Sequence, residues 1–360
     1  MQKSNTIFDS LKIAESNMQT LVSIPPGYVE INLSTKGKLG APASFHIRNF
    51  KVQEIYSLAM VSDSALPVKL IQVLNGMIFE DGIDVADFHE KEVEELMVYI
   101  YMYFFKDTLE DVEFPIDDKD WEYLRNKPDG KELIKDIKDG KWVPRTTIVL
   151  ARDLDTYDLP DNYNSDITIK NSKTGFQLTF GYVRYGDRLI VKKWLEDFFA
   201  EDDAKFKEIS EKISYNERIR EQAKDDPEIL EKLIILKPEE EQSYTEYVTR
   251  KAEYLTEVLR YVSVKNYNGM DISGMTLSEK YNLLSSDARI DYTIMRKLAK
   301  KEQNVQFGLK PEVRLINPFT KEPCIRRFSF RVPEVLQAML LFGDDEDDDE
   351  PDDEAESIIQ

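Results

Sequence analysis

The segment that decides the fold of the N-terminal half is DFHEKEVEELMVYIYMYFF, residues 87–105. Asp87 and Glu90 stand at the spacing of a helix capping box. Apolar side chains then recur every three or four residues, at Val93, Leu96, Met97, Ile100 and Phe104. Tyrosines at three neighbouring positions widen this apolar face. We therefore expect a helix that is buried on more than one side, at the centre of an N-terminal domain.

The sequence before this helix predicts a β-hairpin and two further helices. Residues 28–33 and 45–48 alternate between apolar and polar side chains and flank a glycine-containing turn, which is typical of a hairpin. Helical spacing follows in residues 49–60 and 70–78. Pro25 and Pro26 separate this unit from a weakly helical arm, residues 1–24. The hairpin and helices form an expected domain over residues 25–140.

After residue 140 the spacing of the apolar residues changes twice. Residues 141–187 contain alternating stretches separated by turn residues, which predict a β-rich insert. Residues 188–306 return to helical spacing, with dense charge between residues 201 and 250 that is typical of a solvated helix surface. Two short strands around Asn317 and Pro318 predict a C-terminal β unit over residues 307–343.

These patterns together predict an α+β fold. It is mainly helical, with a small N-terminal hairpin, a central antiparallel β insert, a short C-terminal β unit and a disordered acidic tail. The tail is residues 344–360, in which 11 of the 13 residues from Asp344 to Glu356 are acidic.

Composition narrows the class of function. The chain has 360 residues, with 48 basic and 69 acidic side chains and a net charge of −21. A strongly acidic chain lacks the positive surface that nucleic acid requires, so nucleic acid is not an expected partner. The longest apolar run, residues 96–105, is about half of the ~20 residues that cross a bilayer, so no membrane partner is expected either. A single cysteine, Cys324, favours a reducing, cytoplasmic compartment.

The residues that catalysis and metal binding usually need are scarce. The only histidines are His46 and His89, and neither has a catalytic setting: His46 lies in a predicted strand and His89 in the first turn of a helix. Cys324 has no neighbouring histidine, Gly37-Lys38 lacks the rest of a Walker loop, and three Cys and His residues cannot complete a structural zinc site. We expect no catalytic, cofactor-binding or metal-binding residues and classify the chain as a non-enzyme.

One cluster of carboxylates keeps a metal-dependent alternative open. Asp153, Asp155, Asp158 and Asp161 lie within nine residues. The spacing does not fit a calcium-binding EF-hand loop, which needs an oxygen ligand at position 5 and glycine at position 6. A polar loop is the simpler interpretation, and Asp153 and Asp155 are the candidates for a divalent cation if the chain is an enzyme.

One basic cluster is a candidate for partner binding. Arg326, Arg327 and Arg331 alternate with Phe328 and Phe330. A half-buried strand would place Arg327 and Arg331 on one face and the aromatic residues on the other. The alternative is a contact with a partner or with the acidic tail, since arginine beside aromatic residues is typical of interfaces. The tail candidates are Asp344, Asp345, Asp347, Asp348 and Asp349.

Several segments, in this order, resemble the baseplate hub and tail assembly proteins of contractile-tailed bacteriophages. The matching segments are residues 29–38, residues 45–54, the helical run 68–105, residues 174–180, and residues 307–313 with the closing strand 324–332. Relatives often carry a Cys-x-x-Cys ribbon in the last segment, where this chain has Asn317-Pro318-Phe319-Thr320. A metal in that unit is therefore not expected.

The resemblance implies a role in assembly. It implies a host-cytoplasmic factor that binds other baseplate or tail proteins through protein–protein contacts and covers their apolar or basic surfaces. The alternatives are a permanent structural subunit of the virion baseplate or tail and a metal-dependent enzyme that uses carboxylates. The identity of the partner and the oligomeric state are left open by the sequence.

Overall fold

A computed structural model describes most of the chain. The described residues are 24–62, 65–171, 174–222, 232–290, 292–303, 305–328 and the single positions 330, 332, 335, 336 and 339. The expected arm, apart from Ile24, and the whole acidic tail lie outside them. The fold is mixed α+β and mainly helical, as the sequence predicts.

Eleven helices occur among the described residues. In chain order they are α1 (Val52–Ala59), α2 (Leu66–Asn75), α3 (Glu90–Phe104), α4 (Asp118–Arg125), α5 (Gly130–Lys138), α6 (Leu150–Asp153), α7 (Tyr185–Phe198), α8 (Ala200–Gln222), α9 (Pro238–Val262), α10 (Leu277–Ser285) and α11 (Tyr292–Gln303). A 3₁₀ turn, Val85–Asp87, precedes α3. None of the helices in this part of the chain is both long and apolar enough to cross a membrane.

The strands of the described residues form five small antiparallel sheets. They are β1 (Tyr28–Ile31), β2 (Phe45–Arg48), β3 (Thr108–Glu113), β4 (Arg145–Val149), β5 (Thr156–Tyr157), β6 (Ile167–Lys170), β7 (Gln177–Phe180), β8 (Val264–Tyr267), β9 (Met270–Asp271), β10 (Gly308–Leu309), β11 (Glu312–Ile316) and β12 (Pro323–Arg327). Four sheets are pairs: β1 with β2, β3 with β4, β5 with β10, and β11 with β12. The fifth has four strands in the order β6-β7-β8-β9.

The largest core surrounds α3, as the sequence predicts. Side chains from the β1–β2 hairpin, from α2 and from both strands of β11–β12 pack around Leu96, Met97 and Ile100, which are fully buried. The helix begins two residues later than the expected capping box of Asp87 and Glu90 predicts. His89 is the N-cap: its Nδ1 accepts a hydrogen bond from the Lys91 backbone N–H at 3.1 Å, and Glu92 bonds back to the His89 N–H.

Two buried glutamates of α3 hold the turn that follows β1. Glu95 accepts hydrogen bonds from the backbone N–H and the hydroxyl of Ser34 at 2.9 and 2.7 Å. Glu92 accepts from the Thr35 hydroxyl and from the backbone N–H of Ala41 at 3.2 Å. Both carboxyls are fully buried, and burial raises the pKa of each despite these bonds. The hairpin is thus attached to the central helix by carboxylates as well as by apolar packing.

Two smaller cores lie in the second half of the described chain. One forms between the four-stranded sheet and helices α10 and α11, around Phe176, Phe180 and Val264. The other forms where α7, α8 and α9 meet and is rich in aromatic side chains, including Phe199, Phe206 and Tyr247.

The strands expected in a separate β insert are divided between sheets. Within residues 141–187, β4 pairs with β3 of the N-terminal unit, β5 pairs with β10, and β6–β7 continue into β8–β9. The region expected to be all helical, 188–306, therefore also contains a hairpin. Its turn is Asn268-Gly269, where both residues have positive φ, at 48° and 91°.

The C-terminal strand is shorter than expected. β12 ends at Arg327 rather than continuing to Val332. The Phe328 N–H still bonds in register to the Pro311 carbonyl, but Pro311 has no N–H with which to return a ladder bond. Beyond it, Phe330, Val335, Leu336 and Met339 are buried in the N-terminal core. The C-terminal β unit is therefore part of that core.

Candidate functional site

The candidate site is a groove between the two longest helices, α8 and α9. The helices run antiparallel, because Asp203 near the start of α8 contacts Lys251 in the second half of α9, whereas Ser210 bonds to Tyr244 near its start. α7 closes one end of the groove with Leu195. α9 is amphipathic, whereas α8 is only weakly so, and Phe206 of α8 packs against Tyr247 of α9.

α9 carries two apolar stripes rather than one. Tyr247, Val258 and Tyr261 are buried against the neighbouring helices and the four-stranded sheet. A second stripe lines the groove, at Tyr244, Val248, Ala252, Leu255 and Leu259. Its spacings are 4, 4, 3 and 4 residues, which keep these side chains along one face of α9. Val248, Ala252 and Leu255 are exposed, so this stripe lacks a covering helix within the described residues.

The groove consists of two adjoining cavities. The larger has a volume of 790 Å³ and is floored by Phe206 and Tyr247. The smaller, of 300 Å³, continues along the same helices past Ile213. Tyr244 and Val248 line both, so the two cavities form one surface along α8 and α9. An elongated, mainly apolar groove of this kind suits an extended or helical segment of another protein.

An ion-pair network holds the two helices at their spacing. Lys251 donates to both carboxylate oxygens of Asp203 at 2.6 and 2.8 Å and to the Tyr247 hydroxyl at 3.1 Å, and that hydroxyl also donates to Asp203. Burial opposes the charged form of Lys251, but its bonds to Asp203 and Tyr247 outweigh burial and raise its pKa. Arg250 and Asp202 form a second pair beside it. The groove is consequently preformed, which lowers the entropic cost of binding.

The two helices are acidic overall. α8 contains seven acidic and five basic residues, and α9 contains six acidic and three basic residues, for a net charge of −5. The charged residues that line the groove itself are nearly balanced, with five basic and four acidic side chains, so the excess of acidic residues lies on the other faces of the helices.

The two described arginines of the basic cluster have different environments. The Arg326 guanidinium bonds to Asp120 at 2.7 Å and to the Pro115 carbonyl at 3.2 Å, and only 13% of its side chain is exposed. Arg327 has 86% of its side chain exposed and lies 3.7 Å from Glu312. Arg326 is thus occupied within the fold, whereas Arg327 faces solvent. Arg331 and the tail candidates Asp344, Asp345, Asp347, Asp348 and Asp349 lie outside the described residues.

The aspartates considered as metal ligands each have a separate cation. Asp153 is buried against Arg152 and accepts from the Val149 N–H, and Asp155 pairs with Lys310. Asp158 and Asp161 pair with two lysines of the turn after β1, Lys36 and Lys38. Asp155, Asp158 and Asp161 thereby fasten one loop to the hairpin and to the residue after β10, whereas Asp153 bonds within its own segment. Among the described residues, no group of three or more His, Cys, Asp or Glu side chains is arranged to hold a metal ion.

Both histidines have hydrogen-bond partners in the fold, and the cysteine is half-buried. The His46 ring bonds to Glu80 at 2.6 Å. Burial, together with the charges of Lys91 and Arg188, lowers the pKa of the N-cap His89 to about 4, so its ring is neutral at pH 7. Cys324 is half-buried, and burial raises the pKa of its thiol. A neutral, buried capping histidine such as His89 is typical of a structural position.

The groove itself was not anticipated from the sequence. The dense charge between residues 201 and 250 indicates an ordinary solvated surface, and that interpretation does not predict a second, exposed apolar stripe on α9. The signal that identifies the stripe is its 4-4-3-4 spacing, which can be counted in the sequence once α9 is known to be a single helix of 25 residues.

Comparison with known proteins identifies no relative. The chain matches no family model, no curated protein and no solved structure.

Proposed function

We propose that this protein is a non-enzymatic assembly factor that acts through protein–protein contacts. The observation that carries the proposal is the preformed α8–α9 groove with its uncovered apolar stripe, centred on Val248 and Leu255. An apolar groove lined by aromatic residues is typical of sites that bind another protein. The setting we propose is the tail baseplate of a contractile-tailed bacteriophage, assembled in the host cytoplasm, and it rests on the segment resemblance.

The acidic tail is the second element of the proposal. With 11 acidic residues it extends the negative field of a chain that is itself acidic. Such a field speeds encounter with a basic partner and weakens as salt screens it. We expect deletion of residues 344–360 to leave folding unchanged and to weaken partner binding, most strongly at low salt. Equal affinity with and without the tail across salt concentrations would contradict this part.

The test of the proposal is affinity purification from cells that contain the rest of the encoding genome. The bound proteins are identified by mass spectrometry, with a tail-deleted chain processed in parallel. Recovery of tail or hub proteins is the expected result. A lone monomer that retains no such protein would overturn the proposal.

A permanent place in the virion is the alternative within the same proposal. Mass spectrometry of purified virions distinguishes the two roles. An assembly factor is absent from the finished particle, whereas a structural subunit is present in stoichiometric amount.

A further inference from the structure

We infer that the cavity between the start of α3 and the end of α11 binds a small zwitterion, a molecule with a carboxylate at one end and an ammonium group at the other. The cavity has a volume of 340 Å³, which is within the range of small-molecule sites. It lies where the N-terminal unit meets the four-stranded sheet, and clefts between packed units are a common position for such sites. The inference goes beyond the proposed function and does not depend on it.

The wall of the cavity is mainly apolar and contains two groups of opposite charge. The apolar side chains are those of Leu39, Ile167, Val183, Val305 and Phe307. The charged groups are Lys91 of α3 and Glu302 of α11. Neither forms an ion pair with any residue in the described part of the chain. One ammonium group and one carboxylate therefore line the same cavity without a partner for their charge.

The ring of His89 supplies a second hydrogen-bond donor beside Lys91. Its Nδ1 accepts from the Lys91 backbone N–H at 3.1 Å, so the neutral ring carries its proton on Nε2. No described residue accepts a hydrogen bond from that Nε2–H. The Lys91 ammonium and the centroid of the His89 ring each lie 4.9 Å from the centroid of the Phe307 ring. An ammonium group and an N–H donor on either side of one aromatic ring suit a carboxylate.

Glu302 lies at a different end of the cavity, next to Tyr163. Burial and then the charge of Glu302 raise the pKa of the Tyr163 hydroxyl, which places the two side chains close together. The charges that act on His89 are those of Lys91 and Arg188, and Glu302 is not among them. A ligand that reaches both ends must therefore hold its carboxylate and its ammonium group apart, with an apolar spacer between them.

The charges around the cavity favour a ligand without net charge. Arg188 is paired with Glu90, and the charge of Arg260 acts on Glu302 although the two form no ion pair. The chain as a whole has a net charge of −21, which repels a simple anion. A simple cation would leave the donors of Lys91 and His89 without an acceptor. A zwitterion satisfies both ends.

The probes are ε-aminocaproate and three relatives that each lack one of its features. Caproate has no ammonium group, hexylamine has no carboxylate, and glycine has both charges without the spacer. Isothermal titration calorimetry with the full chain measures each affinity. We expect ε-aminocaproate to bind at least tenfold more tightly than each relative. The dipeptide leucyl-leucine is titrated in parallel, and tighter binding of the dipeptide would identify a short peptide rather than an ω-amino acid as the ligand. No binding of either zwitterion, or equal affinity for ε-aminocaproate and caproate, would overturn the inference.

Substitutions at the two ends locate the ligand. Lys91→Met removes the ammonium group and Glu302→Gln removes the charge of the carboxylate, both at exposed positions. We expect each to weaken the binding of ε-aminocaproate at least tenfold. The matched control is Lys131→Met, because Lys131 is exposed and is the second residue of α5, as Lys91 is of α3. The control should bind as the natural chain does. Unchanged affinity in Lys91→Met or in Glu302→Gln would overturn the inference.

NMR of the chain labelled at its histidine ring nitrogens tests the orientation of the ligand. The chain has two histidines, His46 and His89, and His89→Asn assigns their signals. Bound ε-aminocaproate should shift the Nε2 signal of His89, because its carboxylate accepts from that N–H. The ring of His46 bonds to Glu80 and should not respond. An unchanged His89 signal in the presence of saturating ligand would overturn the inference.

Discussion

Glu92 is the residue whose replacement tests the structure most directly. Its fully buried carboxylate accepts hydrogen bonds from the Thr35 hydroxyl, from the Ala41 N–H at 3.2 Å and from the His89 N–H at 2.7 Å. Glu92→Ala leaves two backbone donors and a hydroxyl without an acceptor, at roughly 1 to 3 kcal/mol for each unsatisfied buried group. The Thr35 hydroxyl can rotate to another acceptor, so we expect a loss of ~4 kcal/mol in the free energy of unfolding.

Glu92→Gln should be much milder, which separates hydrogen bonding from side-chain size. One amide oxygen can still accept from the Ala41 and His89 N–H groups, while the NH₂ group donates to the Thr35 hydroxyl. The change removes the cost of burying a charge. We expect a loss of no more than about 1 kcal/mol at pH 5.

The comparison of the glutamine variant with the natural chain depends on pH in a defined direction. Burial raises the pKa of Glu92 in the folded chain above its unfolded value of about 4.3. The folded state therefore holds this proton to higher pH than the unfolded state, so the contribution of Glu92 is largest below the unfolded pKa and declines as pH rises through the folded pKa. The amide of the Glu92→Gln variant does not titrate. The difference between the two proteins should shift in favour of glutamine between pH 4 and pH 8.

Urea unfolding followed by circular dichroism at pH 5 and pH 8 measures these differences. Glu122→Ala, at an exposed position on α4, is the control and should change the free energy of unfolding by less than about 0.5 kcal/mol. If Glu92→Ala costs less than Glu92→Gln, or if both match the control, the carboxylate does not hold the hairpin turn as described.

Three further predictions concern other parts of the fold. Arg326→Ala should cost about 3 kcal/mol in urea unfolding, because it leaves the buried Asp120 carboxylate without its countercharge, although Asn317 and the Asp117 N–H still donate to it. Arg327→Ala should change the free energy of unfolding by less than about 0.5 kcal/mol, and equal effects of the two substitutions would contradict the inward position of Arg326. Gly40→Ala should prevent stable folding, since its Cβ would lie 1.8 Å from a carbonyl oxygen of the 3₁₀ turn, while Gly274→Ala, in open space, should be nearly neutral in yield and thermal unfolding. His89→Asn keeps a cap acceptor and should reduce the loss of stability on acidification. Because the folded-state pKa of His89 is lowered to about 4, its contribution to stability is complete above about pH 6.5 and declines as pH falls. Urea unfolding of the natural chain and the variant at pH 7 and pH 4.5 measures this loss, and an equal loss in both proteins would contradict the prediction.

Much of the secondary structure follows from the sequence because its signals are local. The periodicity of α3 is contained within one segment, as are the alternation of β1 and β2 and the capping box of Thr276 with Glu279. The start of α3 was misplaced, because His89 caps the helix although the Asp87 and Glu90 pair has the usual capping spacing. Several residues can cap one helix start, and the packing of the preceding turn selects among them.

The candidate site was much less predictable. Alternation placed Arg327 outward correctly, but Arg326 bonds to Asp120, which lies 206 positions away in the chain and which no local pattern connects to it. The groove depends on an uncovered stripe, and whether a stripe is covered depends on the neighbouring helices. The spacing of apolar residues in the sequence cannot distinguish a buried apolar stripe from an exposed one.

Local sequence patterns are sufficient to predict the mainly helical α+β class, the central apolar helix, the hairpin before it and the acidic character of the C-terminal segment. These features depend on the 3.6-residue and 2-residue periods and on caps and turns, which act over a few residues. Other features are visible only in the folded structure: β4 pairs with β3, β6–β7 join β8–β9, and the C-terminal strands complete the N-terminal core. The same is true of the face of α9 that remains exposed. Those outcomes depend on contacts between segments far apart in the chain. The free energy of such a contact is set by the whole surfaces that pack together and not by neighbouring residues in the sequence.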